Sequence, residues 1–245
     1  MEVTLRLREQ FIDVLKDYTP SQNTLRTLAD MPLIILLGVS GSGRNTIIDE
    51  LVATGRYYYI VSDTTRPPKV RNGRLEEDGV IYNFRTEEAI LEDLKKGLYL
   101  EAELIHDQQV SGNSVHEIRK AHESGKVPIN EVDLGGTDAI ATAKPDTIFM
   151  FVVPPSFDEW MKRLHAREVM GEDELHNRIR TAIRILQIVL SSERFVFVVN
   201  DKLAQVVSTV DDYGSGEHHD LHNEEARQIT QKLLDDIIIN YPTLA

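Results

Sequence analysis

The 245-residue chain is 41% apolar and 27% charged, proportions that suit one substantial water-soluble globular domain with additions. It has no cysteine, which excludes disulfides, thiolate metal sites and cysteine nucleophiles, and suits a reducing cytosol. A net charge of −13 opposes general binding to nucleic acid but leaves room for a local basic pocket. The longest apolar run, Met31 to Val39, is interrupted by Pro32 and ends in a glycine turn, so no segment is expected to span a bilayer. The first residues lack the basic-then-apolar pattern of a signal peptide, and a cytoplasmic location is expected.

In chain order, Leu5, Leu7, Phe11, Ile12, Leu15 and Tyr18 fall on one helical face, which predicts a helix closed by Pro20. Ser21-Gln22-Asn23-Thr24 reads as a linker. That apolar face suits packing on the main domain or a protein partner, and amphipathicity does not decide between them. Leu33-Ile34-Ile35-Leu36-Leu37 is continuously apolar, as in a strand buried on both faces of a parallel sheet. A glycine turn follows, and then Thr46 to Val52 with helical spacing. Further strands are predicted at Tyr57–Val61, Val127–Val132, Thr147–Val153 and Phe195–Val199. Helices are predicted at Glu87–Lys96, His116–Ser124, Ser156–Arg167 and Asp173–Ser192. This alternation gives an α/β architecture, a parallel sheet flanked by helices. Asp211 to Asn223 is polar and carries His218, His219 and His222; without a supporting scaffold it reads as an exposed loop and not a metal site. Glu224 to Asn240 predicts a last helix, in a tail that holds nine acids and three bases from residue 201 onward.

Strand, glycine turn, helix is the order that a phosphate loop requires. Gly38-Val39-Ser40-Gly41-Ser42-Gly43-Arg44-Asn45-Thr46 stands in the place of a Walker A motif, the loop of P-loop NTPases. Its glycines would let backbone N–H groups wrap a phosphate, and the helix N-terminus would add its dipole. Gly38, Ser40, Gly41, Ser42, Gly43, Arg44, Asn45 and Thr46 are therefore the candidate phosphate-binding residues. The motif departs from the usual pattern twice. Arg44 replaces the lysine that reaches the β- and γ-phosphates, and its planar guanidinium cannot fill the same space. Asn45 replaces the serine or threonine on Mg²⁺ and offers an amide oxygen, a weaker ligand. Triphosphate binding is expected, with turnover slowed.

The next blocks carry a specific resemblance. Ser62-Asp63-Thr64-Thr65-Arg66-Pro67-Pro68-Lys69 is similar to the guanylate kinase signature S-x-T-T-R-x-P-R, and Asp78-Gly79-Val80-Ile81-Tyr82-Asn83-Phe84 to that family's D-G-x-x-Y-x-F. Leu100-Glu101, Ser111-Gly112-Asn113-Ser114, Glu131-Val132-Asp133-Leu134-Gly135-Gly136, Pro154-Pro155-Ser156, Arg163 to Arg167 and Val199-Asn200-Asp201 follow in the family's order. The resemblance covers about residues 32 to 203. It implies a guanylate-kinase-like domain over 31–203, with a GMP-binding lobe at about 62–114 and a helical lid at about 156–180. Residues 1–30 would then be a helical addition and 204–245 an acidic loop and helix.

The same resemblance implies roles. Arg66, Lys69 and Tyr82 would hold the GMP phosphate, Lys69 as a point charge where the family has arginine. Glu101 would accept from guanine N1 and N2, a pair of donors adenine lacks, and Ser62 would contact the base. Asn113 and Glu131 stand for a family serine and aspartate; taken singly, each reads as a solvated polar side chain. Ser111 stands where the family has a phosphate-binding tyrosine, so one contact is lost. Asp133, after an apolar strand, would help position hydrated Mg²⁺ together with Asn45; read by itself it also suits a strand-end cap. Arg163 and Arg167, four apart on one helix, and Arg178 on the next would close over the transferring phosphate with Arg44.

The leading expectation is a nucleoside monophosphate kinase that turns ATP and GMP into ADP and GDP with Mg²⁺, slowed by Arg44 and Asn45. The alternative is a degenerate guanylate-kinase-like domain that binds nucleotide or protein; a third is a kinase for another monophosphate. No nucleic-acid or membrane partner is expected. A protein partner would meet the terminal segments or the GMP lobe.

Overall fold

A computed structural model describes residues 5–71, 73–167, 170–216 and 223–244. The chain opens with helices α1 (Arg8–Lys16) and α2 (Gln22–Leu28), then strand β1 (Ile34–Leu37) and α3 (Arg44–Ala53). Short strands β2 (Tyr57–Tyr59), β3 (Ser62–Thr64), β4 (Val70–Arg71), β5 (Arg74–Leu75) and β6 (Tyr82–Phe84) precede α4 (Glu87–Lys95). A longer pair, β7 (Tyr99–Ile105) and β8 (Gln109–Ser114), leads into α5 (Val115–Glu123), β9 (Val127–Glu131) and α6 (Thr137–Ala143). The chain ends with β10 (Ile148–Val153), α7 (Phe157–Arg167), α8 (Glu172–Leu190), β11 (Phe195–Val199), α9 (Leu203–Gly214) and α10 (Asn223–Asn240).

These elements group into two compact units. The phosphate-loop unit comprises Leu33–Arg56, Glu131–Leu134 and Ile148–Ala245. Its strands β1, β10 and β11 pair in parallel. All four residues of β1 are buried, as the unbroken apolar run requires. The β10–β11 register sets Phe149 beside Phe195 and Phe151 beside Phe197, both pairs edge-on with centroids 6.2 and 5.8 Å apart. Helices α9 and α10 pack on β11, α3 packs on α9, and α10 also reaches α7 and α8. This is the parallel sheet flanked by helices that the apolar runs predict.

The other unit comprises Met1–Pro32, Tyr57–Asn130 and Gly135–Thr147. In it β2 pairs in parallel with β9. The expected single strand Tyr57–Val61 stops at Tyr59, and the chain enters a second, four-stranded sheet ordered β6-β3-β8-β7. There β3 is parallel to β6 and antiparallel to β8, which is antiparallel to β7. Three-residue strands leave too little alternation for a sequence pattern to announce. The linker expected at Ser21–Thr24 is instead the start of α2: the hydroxyl of Ser21 accepts the N–H of Thr24 at 3.2 Å, an N-cap. The end of α2 is tied down by Lys144, whose buried ammonium donates to the Leu28 carbonyl at 2.9 Å and to Asp146 at 2.8 Å. The loop expected from Asp211 begins later, since α9 continues to Gly214. His218, His219 and His222 lie outside the described residues. No described helix is long and apolar enough to cross a membrane.

Candidate active site

The phosphate loop is built where β1 ends and α3 begins. Gly43, the N-cap of α3, has φ +95°, a left-handed conformation that favours glycine. A side chain there would collide with the amide of Asn200. That amide donates to the Ser42 carbonyl at 2.8 Å, and the indole N–H of Trp160 donates to the Ser40 carbonyl at 2.8 Å. The loop's carbonyls are thus held from outside. At the start of α3 the N–H groups of Gly43, Arg44, Asn45 and Thr46 have no intrahelical acceptor, and the helix dipole adds partial positive charge. The buried hydroxyl of Ser42 has no hydrogen-bond partner among the described residues. A cavity of about 590 Å³ opens here, lined by the loop, Arg163, Asn200 and Asp201. These features together suit an anion.

Both departures of the loop meet one carboxylate. The amide Nδ2 of Asn45 donates to Glu131 Oε1 at 3.2 Å, and Arg44 Nε lies 3.4 Å from Glu131 Oε2. Glu131, expected in the guanine pocket, is placed with the phosphate loop, half-buried and not a solvated side chain. Asp133 is exposed just past the end of β9. Arg163 donates from Nε to Glu159 at 2.9 Å and from Nη2 to the Asn200 carbonyl at 3.0 Å. Arg178 donates from Nε to Glu174 at 2.8 Å and from Nη1 to the Ser40 hydroxyl at 3.3 Å. Two of the three predicted lid arginines therefore stand at the loop. The side chain of Arg167 lies outside the described residues.

In the other unit, half-buried Ser62 on β3 and buried Glu101 on β7 and Asn113 on β8 form one hydrogen-bonded lattice. Asn113 is 3% exposed, so it is not the solvated side chain expected of it alone. Its N–H and its Nδ2 both donate to Glu101 Oε1, at 3.1 and 2.7 Å. Its Oδ1 accepts from Ser62 at 2.9 Å and from Asn130 at 2.6 Å, which orients the amide. Burial pushes the Glu101 carboxyl up to about 7, although the two bonds from Asn113 pull it down.

Arg66 is 6% exposed and held by a carboxylate the sequence reading did not single out. Its Nη1 and Nη2 donate to Glu76 at 2.6 and 3.1 Å, and its guanidinium lies over the rings of Tyr82 and Phe84 at 4.8 and 5.4 Å. Glu76 also accepts the backbone N–H of Lys69 at 2.9 Å, which places Lys69, an exposed residue, in the same group. The Ser111 hydroxyl donates to Thr64 at 2.8 Å. Behind β3, Asp63 accepts from Tyr99, Arg85 and Asn83 at 2.5, 2.8 and 3.0 Å. Asn130 and Trp160 carried no signal in the sequence; Asp63 and Asn200 sat in blocks of the resemblance without a role.

The guanylate kinase family model matches residues 30–215. A guanylate kinase of Sulfurimonas denitrificans is 35% identical over 180 residues, 73% of this chain and 84% of the relative. One of Desulfitobacterium hafniense is 36% identical over 177 residues, 71% of this chain and 84% of the relative. The crystal structure of guanylate kinase from Anaplasma phagocytophilum shares the fold, with a TM-score of 0.54 at 18% identity over 80% of this chain and 89% of that one. The phosphate loop and the S-x-T-T-R block both lie inside the matched stretch, and the chain belongs to the guanylate kinase family.

Proposed function

We propose that the protein transfers the γ-phosphoryl group of ATP to GMP. The observation that carries this reading is the buried Glu101 carboxylate, oriented by Asn113 within the lattice that includes Ser62. A carboxylate in that setting accepts both guanine donors, N1–H and N2–H, and adenine offers no such pair. Lys69 supplies exposed charge for the monophosphate, Tyr82 a hydroxyl, and Arg66 the N–H donors not taken by Glu76 and the Pro67 carbonyl. In the other unit the amides that open α3, with Arg44, Arg163 and Arg178, take the triphosphate.

A GMP phosphate oxygen attacks the γ-phosphorus, the bond to the β–γ bridging oxygen breaks, and ADP leaves. The chain's part is to hold each phosphate and to neutralise the charge that spreads over the transferring group. Asp133 and the amide oxygen of Asn45, whose Nδ2 is engaged by Glu131, are hard oxygen donors of the kind Mg²⁺ takes, few enough to leave its other positions to water and phosphate. Mg²⁺ held by these two residues would neutralise phosphate charge when bound. A cysteine-free chain of this kind suits the reducing cytoplasm.

The test is a coupled ADP-release assay with ATP, Mg²⁺ and each of GMP, dGMP, AMP, UMP and CMP. Turnover with the two guanine nucleotides is expected. Equal turnover with AMP would sink the guanine assignment. GMP binding without any ADP release would make the chain a nucleotide-binding module, the reading favoured by the engagement of Arg44 and Asn45 with Glu131.

A further inference from the structure

The helical segment before β1 packs into the same unit as Glu101. Leu5 and Phe11 are buried in one apolar cluster with Ile90, Leu91, Leu94 and Tyr99, and Tyr18 packs against it. Nearly all of this segment lies before residue 30, where the family match begins. Its backbone N–H groups at Arg6 and Leu7 donate to Glu87, and a second group of hydrogen bonds meets the chain where β7 starts. The Gly97 carbonyl accepts from the Ser21 N–H at 3.0 Å and from the Thr24 hydroxyl at 2.7 Å. Gly97 itself is left-handed, and a side chain there would collide with Ser21. Two residues on, the Tyr18 hydroxyl donates to the Tyr99 carbonyl at 2.8 Å and accepts the Tyr99 N–H at 2.9 Å.

Tyr99 borders an irregularity in the β7–β8 ladder. It faces Ser114, while Glu101 faces Asn113, so the register shifts by one between them. Such a bulge breaks the regular pairing and re-aims the side chain that follows. Here the re-aimed side chain is Glu101. Tyr99 is fully buried, so without Tyr18 its N–H and C=O would lose these bonds in a place water does not reach.

We propose that Tyr18 is a positioning residue for guanine recognition: its single hydroxyl pins both backbone groups of Tyr99 and so holds the bulge that sets the Glu101 carboxylate against Asn113. The segment before the family match is then a working part of the monophosphate half-site. This inference rests on the reading of Glu101 as the guanine acceptor.

The test is made on the full chain. Tyr18→Phe keeps the ring and removes the hydroxyl. The KM for GMP should rise on the order of fivefold, about what one ordinary hydrogen bond is worth, with kcat and the KM for ATP changed less than twofold. The preference for GMP over inosine monophosphate, which lacks the N2 donor, should fall with it. In the Glu101→Gln background, Tyr18→Phe should add less than twofold, because the two residues act through one contact. Thr24→Val loosens the same segment without touching Tyr99 and should leave the KM for GMP within twofold. A rise in Thr24→Val equal to that in Tyr18→Phe would overturn the proposal, as would an unchanged KM and selectivity in Tyr18→Phe. Melting curves accompany each variant, and GMP binding is read by calorimetry below the lowest transition, so loss of fold cannot imitate either result. Glu101→Gln separates the two claims. If it leaves GMP affinity and selectivity unchanged, the guanine assignment itself is overturned. If it weakens both while Tyr18→Phe does not, the positioning role alone falls.

Discussion

The two halves of the candidate site are built on different physical plans. Around Glu101 the polar groups satisfy one another: Asn113 serves as donor to Glu101 and acceptor from Ser62 and Asn130, and Arg66 is neutralised by Glu76. Buried polar groups are tolerated on those terms, and a network satisfied in this way is held rigid. Around the phosphate loop the helix amides lack intrahelical acceptors, and the Ser42 hydroxyl has no hydrogen-bond partner among the described residues. Half-exposed cations there lean on carboxylates along their own helices, Arg163 on Glu159 and Arg178 on Glu174. Under the proposed roles, a half-site that reads a base can be prebuilt, whereas one that serves a moving phosphate keeps donors in reserve for charge that develops during the reaction.

If the contrast is right, the largest effects on rate come from the phosphate-loop unit. Arg178→Ala should lower kcat by roughly a hundredfold or more, because an arginine acting on the transferring phosphate is worth several orders of magnitude. The KM for GMP should stay within about threefold, the pattern of an interaction made in the transition state. Steady-state kinetics with GMP varied at saturating ATP reads both. A kcat within twofold of the parent would remove Arg178 from the chemistry.

Glu101→Gln should show the opposite pattern, weakening GMP binding by about 1–3 kcal/mol with a smaller change in kcat, since a charged acceptor is lost against two donors. Calorimetry with guanosine also tests the titration without interference from the nucleotide's own phosphate. Burial raises the Glu101 carboxyl to about 7, so guanosine affinity should fall as the pH drops below about 7, and the Gln variant should be flat. For stability the sign follows from the same shift. The folded value lies above the ordinary 4.5, so the contribution of Glu101 is fully present below about 4.5 and is lost as the pH rises through about 7. Unfolding of the free protein between pH 5 and 8 should show that slope, and Glu101→Gln should lack it.

The smallest effect sharpens the comparison from inside the loop. Arg44→Lys with Asn45→Ser should raise kcat about tenfold, which corresponds to ~1.4 kcal/mol of transition-state stabilisation. Lysine would reach the β- and γ-phosphates without the lateral contact to Glu131, and serine would offer Mg²⁺ a hydroxyl. A fall in rate would instead mean that Arg44, Asn45 and Glu131 operate as one adapted set.

The sequence by itself determined what depends on neighbours in the chain. An unbroken apolar strand, a glycine turn and a helix start lie within twenty residues of one another, and their order is the one a phosphate loop requires, whatever surrounds it. The block from Ser62 to Lys69 is similarly local, and carried the family with it. Tertiary structure alone decided the rest, because its partners are far apart in sequence and are joined only by packing. Asn45 meets Glu131 across 86 residues, Tyr18 meets Tyr99 across 81, and Arg178 meets Ser40 across 138. Whether Asn113 is a solvated amide or the buried pivot of a lattice depends on what covers it, and a lone polar letter does not carry that information. The bulge beside Tyr99 has the same origin: a one-residue register shift leaves no mark on composition, yet it sets where the Glu101 carboxylate is held, because backbone groups shut away from water must find partners wherever the fold provides them.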